Sequence, residues 1–182
     1  MIVCIGDSIT YGQFLPERSK AWPYLLFGWE VLAAGVSGDT TRLGLERFPR
    51  DVQAHQPTAV VIQFGHNDAN RWETDHGLQR VSDRAFMANL EEMVDRCRTF
   101  EAEPFLCSLT PSYRSDLHAS DTYAYDQIIR EVARVNIVPL IDVRLAFAKR
   151  EYLMEDGLHL TELGHRVYAE VVQQALDAEQ IR

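Results

Sequence analysis

Short apolar runs alternate along the chain with segments in which apolar residues recur every three or four positions. The runs cover residues 2–5, 30–34, 59–64, 105–109 and 137–143. They are continuous and rich in branched side chains, the pattern of strands buried on both faces of a sheet. Between them, Phe86, Leu90, Met93, Val94 and Cys97 mark one helical stripe, and Ile128, Ile129, Val132 and Val135 a second. A third stripe, Leu163, Val167, Val171, Ala175 and Leu176, follows a predicted N-cap at Thr161, with Glu162 as an anion in the first turn. Strand–helix alternation of this kind predicts an α/β sandwich with a parallel sheet and right-handed crossovers. Pro139, inside the fifth run, removes a ladder donor and assigns that strand to an edge.

A flavodoxin-like three-layer sandwich meets these requirements: five parallel strands in the order 2-1-3-4-5, with helices on both faces. The 182 residues suit one domain spanning the whole chain. A chain of this length buries roughly 70% of its unfolded surface and needs no disulfide or structural metal for stability. Two stretches that follow strands, residues 69–81 and 111–120, are longer than plain connections. Both are expected to project from the carboxyl edge of the sheet, where open α/β folds bind ligands.

Charge narrows the class of partner. Lys and Arg number 18 against 27 Asp and Glu, a net charge of −9. Such a surface repels phosphate backbones and anionic membranes, which argues against nucleic acid as a partner. No stretch approaches a membrane span, and residues 1–5 enter an apolar run with no basic leader, so a soluble cytoplasmic protein is expected. Cys4, Cys97 and Cys107 cannot all pair, and Cys4 and Cys107 lie in apolar runs as buried hydrophobes. His55, His76, His118 and His165 have no metal-ligand spacing with nearby Cys or carboxylates, so no zinc site is expected. His165 reads as packed or solvated on the last helix.

Four segments carry candidate chemistry. Gly6-Asp7-Ser8-Ile9-Thr10 follows the first strand. A serine at that junction is exposed above the sheet beside helix-terminal N–H groups, as an acyl-transfer nucleophile requires, although this segment taken alone reads better as Asp7 or Ser8 capping a helix. Ala34-Gly35-Val36-Ser37-Gly38-Asp39-Thr40-Thr41 follows the second strand; Gly38 can present an unobstructed N–H, and Asp39 or Thr40 can cap the next helix. Gly65-His66-Asn67-Asp68 follows the third strand, and the Asn67 amide is a standard donor to a developing oxyanion. With strands two and three flanking strand one, Gly38 and Asn67 fall on either side of Ser8. The fourth segment, Asp156-Gly157-Leu158-His159, lets Asp156 hold one ring nitrogen of His159 while the other takes a proton from serine.

In this order, the four segments resemble the four sequence blocks of the SGNH hydrolases, also called GDSL esterases or lipases. The resemblance runs from Gly6 to His159, nearly the whole chain. It implies ester hydrolysis on a small-molecule ester without metal or cofactor. Ser8 would be the nucleophile, His159 the general base and Asp156 its orienter, with the Ser8 N–H, Gly38 and Asn67 as oxyanion donors. A histidine at position 66, where the thioesterase/lysophospholipase branch carries glycine, resembles the rhamnogalacturonan acetylesterase branch. It points to short acyl groups on a sugar or small alcohol, with longer, lysophospholipid-like or thioester substrates as the alternative.

The loops add tentative substrate contacts. His66, Trp72 and Tyr113 are assigned to the pocket, with Arg71, Arg114 and His118 beside them. Trp72 and Tyr113 read equally as contacts of a homo-oligomer, because aromatic and Arg residues anchor interfaces as well. Asp75, Asp116 and Asp121 read as solvated loop charges. Two further classes fit the same fold: a catalytically silent carbohydrate-binding module, and a nucleotide or flavin binder. The intact Ser8, Asn67, Asp156 and His159 set argues against the first. The loop after strand one lacks the Ser/Thr/Gly run that cradles phosphate, which argues against the second.

Overall fold

The structure, a computed structural model, describes residues 1–114 and 119–179. Its strands are β1 (Ile2–Gly6), β2 (Val31–Gly35), β3 (Ala59–Gln63), β4 (Glu103–Cys107) and β5 (Leu140–Ile141). Its α-helices are α1 (Ser8–Tyr11), α2 (Thr41–Asp51), α3 (His66–Ala69), α4 (Asp83–Thr99), α5 (Ala119–Asn136), α6 (Val143–Ala146) and α7 (Glu162–Ala178). The five strands are all parallel, as the alternation predicts, and take the flavodoxin-like order β2-β1-β3-β4-β5 expected of them.

Strand side chains alternate between two cores, as a two-residue period requires. Val3, Ile5, Val60, Ile62 and Leu106 face Phe48 of α2, Phe86 and Leu90 of α4 and Ile129 of α5. Ile2, Cys4, Val61 and Phe105 face Trp22, Val143 of α6, and Tyr168 and Val172 of α7. Burying a side chain of this size contributes roughly 1.5–3 kcal/mol. The helices are therefore held mainly by these two apolar layers, not by surface ion pairs such as Lys20–Glu162. All three cysteines are buried, and burial pushes the Cys97 and Cys107 thiols up to about 12.

Two strands differ from their apolar runs. Of residues 137–143, only Leu140 and Ile141 pair with β4. Ile137 sits at φ 53 in the left-handed turn that ends α5, and Val143 already belongs to α6. Pro139 still contributes its carbonyl, which accepts the Leu106 N–H at 3.1 Å. β4 begins two residues earlier than its run because Glu103 N–H bonds the Thr58 carbonyl, whereas Leu109 N–H leaves the ladder for Asp126 Oδ1. At the helix starts, Thr40 caps α2 and Thr161 caps α7, while Asp39 pairs with Arg47.

His165, one turn into α7, is 1% exposed, and its Nδ1 accepts the Trp22 N–H at 3.2 Å. Trp22 in turn stacks on Tyr168 at 4.9 Å, so this bond joins the segment after α1 to the last helix. Burial, with a smaller contribution from His159, pushes the His165 pKa down to about 4. The unfolded chain therefore binds the proton more tightly. Stability from this group is present above its ordinary pKa of 6.5 and lost as pH falls toward 4. We expect His165→Asn, which keeps an acceptor, to gain on the wild type by on the order of 1 kcal/mol per pH unit over that interval. Urea unfolding at a series of pH values measures it, and parallel curves would contradict it.

Candidate active site

β1 ends at Gly6 and the chain turns at once into α1. A Cβ at Gly6 would lie 2.2 Å from Thr10 Oγ1 and 2.6 Å from the Gln63 carbonyl, so only glycine lets α1 fold back this closely. Asp7 caps the helix, its Oδ1 accepting the Ile9 N–H at 2.9 Å. Ser8 is thereby the first helical residue, 7% exposed, with its hydroxyl directed to another partner.

That partner is His159, whose Nε2 lies 3.0 Å from Ser8 Oγ. Its Nδ1 lies 2.5 Å from Asp156 Oδ2, while Asp156 Oδ1 accepts the backbone N–H groups of Leu158 and His159, each at 3.0 Å. Partial burial works to raise the Asp156 pKa, but the His159 ring and the two N–H donors outweigh it and hold the carboxyl below its usual range. A carboxylate at Nδ1 favours the tautomer that leaves the Nε2 lone pair facing serine. The turn carrying this pair is closed by an isolated bridge between Leu153 and Leu160 and by Met154 N–H on the His159 carbonyl at 2.7 Å. Tyr113 N–H reaches across to the Gly157 carbonyl at 2.8 Å.

Ser8, Gly38, Asn67 and His159 line one cavity of about 210 Å³. Gly38 sits at φ 83 with nothing within 4 Å of a would-be Cβ, so its backbone conformation, not crowding, demands glycine. Asn67, the second residue of α3, places its Nδ2 3.4 Å from Asp7 Oδ2. Gln13, Ser37 and Arg114 give the cavity a polar rim, and Phe14 and Leu158 give it apolar walls. The Phe14 ring meets the His159 imidazole edge-on, with centroids 4.9 Å apart. Gln13, Phe14 and Ser37 carry no signature in the sequence. Their one cue is position, in loops immediately after α1 and β2.

Beneath the cavity lie buried ionisable groups. Burial pushes the Asp7 carboxyl up to about 7, against the opposing hydrogen bonds from Ile9 and Gln63. It pushes Asp68 up to about 6, although Oδ1 accepts both the N–H and the hydroxyl of Thr41. His66 is 2% exposed, with Nε2 3.2 Å from Thr110 Oγ1, and burial drives its pKa down to about 3. His66 is thus a neutral ring packed behind the cavity and does not line it, contrary to the substrate contact expected of it.

Trp72 and Tyr113 also stand apart from the cavity lining. Trp72 stacks with Arg80 and Tyr113 lies near Arg150, each about half-exposed. Asp121 is not a solvated loop charge: it is in α5 and pairs with Arg71 at 2.7 Å. Asp116 and His118 lie outside the described residues. Among the described residues, no three His, Cys, Asp or Glu side chains converge to hold a metal ion, and no helix is long and apolar enough to cross a membrane. A larger groove of about 390 Å³, between Leu25, Phe27 and α7, includes no Ser, Cys or His in its lining.

Comparison with known proteins assigns the chain to a family. Residues 4–167 match the model of the GDSL-like lipase/acylhydrolase family. An arylesterase of Vibrio mimicus is 29% identical over 96% of this chain and 87% of its own length. An acetylxylan esterase of Geobacillus stearothermophilus is 24% identical over 100% of this chain and 95% of its own. The crystal structure of a lipase/acylhydrolase from Enterococcus faecalis superposes with a TM-score of 0.81 at 26% identity, covering 98% of this chain and 95% of that one. The protein is a carboxylic ester hydrolase. It belongs to the GDSL-like lipase/acylhydrolase family.

Proposed function

We propose that Ser8, His159 and Asp156 form a catalytic triad that hydrolyses short-chain acyl esters of a sugar or small alcohol. The observation that carries this reading is the unbroken relay from Asp156 through both ring nitrogens of His159 to the Ser8 hydroxyl. Ser8 Oγ attacks the ester carbonyl as His159 Nε2 takes its proton, and Asp156 stabilises the imidazolium that forms. The oxyanion is held by the Ser8 and Gly38 N–H groups and the Asn67 amide. The alcohol departs with the proton from His159. Water, deprotonated by the same nitrogen, then releases the acid from the acyl-enzyme.

Size and polarity support the substrate class. A cavity of about 210 Å³ falls below the roughly 300–1,000 Å³ common for drug-sized ligands, which favours a small acyl group. Gln13, Ser37 and Arg114 at the rim offer hydrogen bonds to a hydroxylated leaving group. The acetylxylan esterase relative acts in the same sense. Phe14 and Leu158 favour a second reading, a longer acyl chain laid along apolar walls.

Two measurements test this. Ser8→Ala is expected to lose covalent labelling by an organophosphate and to drop in turnover by about 10⁶-fold, as loss of a triad nucleophile does; labelling elsewhere with activity retained would overturn the triad. A chain-length series of aryl esters, run beside acetylated sugars, is expected to show kcat/KM greatest for acetyl and propionyl groups. An optimum at long acyl chains would replace the substrate class with the lipolytic one.

A further inference from the structure

An oxyanion donor works only if its N–H keeps one orientation, and Gly38 stands in an exposed turn with no side chain to anchor it. Its backbone restraint is slight: Asp39 N–H reaches back to the Val36 carbonyl at 3.2 Å. Neighbouring side chains supply the rest. Arg80 Nη1 donates to the Gly38 carbonyl at 2.9 Å. The Arg80 guanidinium lies 4.5 Å from the centroid of the Trp72 ring, and the Arg80 backbone N–H bonds the Asn70 carbonyl at 2.9 Å. Arg47 holds the turn from its other end. Its side chain is 10% exposed and donates to Asp39 Oδ2 at 2.6 Å, to the Ala34 carbonyl at 2.8 Å and to the Gly6 carbonyl at 2.9 Å.

We propose that Arg80, braced by Trp72, is a positioning residue that fixes the Gly38 turn and through it the Gly38 N–H, with Arg47 as its buried counterpart. The inference rests on the serine-esterase reading above. A hydrogen bond to the Gly38 carbonyl fixes the Gly38–Asp39 peptide plane and stops rotation about the glycine ψ, the softest torsion of the turn. A planar guanidinium stacked on an indole is already oriented, so little further freedom is lost when it donates. The arrangement also gives the long stretch 69–81 a purpose: Trp72 serves the cavity through Arg80 without lining it.

Arg80 belongs to neither apolar core, so its removal leaves both intact, whereas an Arg47 variant would disturb the ends of β1 and β2 together. The test compares wild type with Arg80→Ala, Arg80→Lys and Trp72→Ala on an aryl acetate. It adds inhibition by an arylboronic acid, whose tetrahedral adduct on Ser8 places an oxygen where the oxyanion forms. Arg80→Ala is expected to lower kcat about 10-fold with KM and melting temperature unchanged, and to weaken the boronate by the same factor. Arg80→Lys is expected to recover part of the loss, and Trp72→Ala to show a smaller one.

Wild-type kcat and boronate affinity in Arg80→Ala would overturn the proposal. So would a change in KM alone, or a fall in kcat with boronate affinity preserved. Asn67→Ala separates the two levels, with an expected loss of about 10²–10³ in kcat. If Asn67→Ala and Ser8→Ala fail as expected while Arg80→Ala does not, only the positioning role falls. If Ser8→Ala stays active, the esterase reading beneath it falls as well.

Discussion

The cleft depends on one constraint, the level register of three parallel strands. Gly6 at the end of β1 pairs with Gly35 of β2 on one side and with Gln63 of β3 on the other. Adjacent strands run about 4.8 Å apart. The segments that leave them therefore start side by side at one height and deliver Ser8, Gly38 and Asn67 to one cavity. A slip of one residue in either pairing would turn strand side chains to the wrong core and lift one of these segments off the cleft. His159 reaches the same point from a different direction. Its turn is closed by the Leu153–Leu160 bridge and rests against α7, whose apolar face is packed on the sheet.

Around this junction the protein tolerates local cost. Asp7 and Asp68 are buried carboxyls with raised pKa values, so ionising them at neutral pH opposes folding. His66 is a buried imidazole that must stay neutral. Each is hydrogen-bonded to backbone or hydroxyl groups, which limits the penalty without removing it. Two cores built from β1 and β3, all of whose residues are buried, offset it. The desolvated Asp7, Asp68 and His66 adjoin the residues that line the cleft, and ordinary apolar packing holds the rest.

Much of this was legible in the pattern of residues. Continuous apolar runs located all five strands, and Pro139 identified the edge strand. Run boundaries were less informative, because Ile137 and Val143 are as apolar as a strand but belong to a left-handed turn and a helix. Of the residues singled out in the four polar segments, Ser8, Gly38, Asn67 and His159 line one cavity, and Asp156 bonds the His159 ring behind it. Surroundings were harder to read. His66 adjoins Asn67 in sequence, yet one step along α3 carries it from cleft to interior. Phe14 and Arg80 reach the site through loop geometry, which leaves no periodicity behind. Asp121 looked like a loop charge only because α5 starts earlier than its apolar stripe.

The most direct measurement is a crystal structure of the wild-type enzyme after reaction with an alkyl phosphonate. The expected adduct has phosphorus bonded to Ser8 Oγ, and a phosphonyl oxygen within about 3 Å of the Ser8 N–H, the Gly38 N–H and the Asn67 amide. An adduct on another residue, or a Ser8 adduct whose oxygen turns away from those donors into solvent, would contradict that expectation.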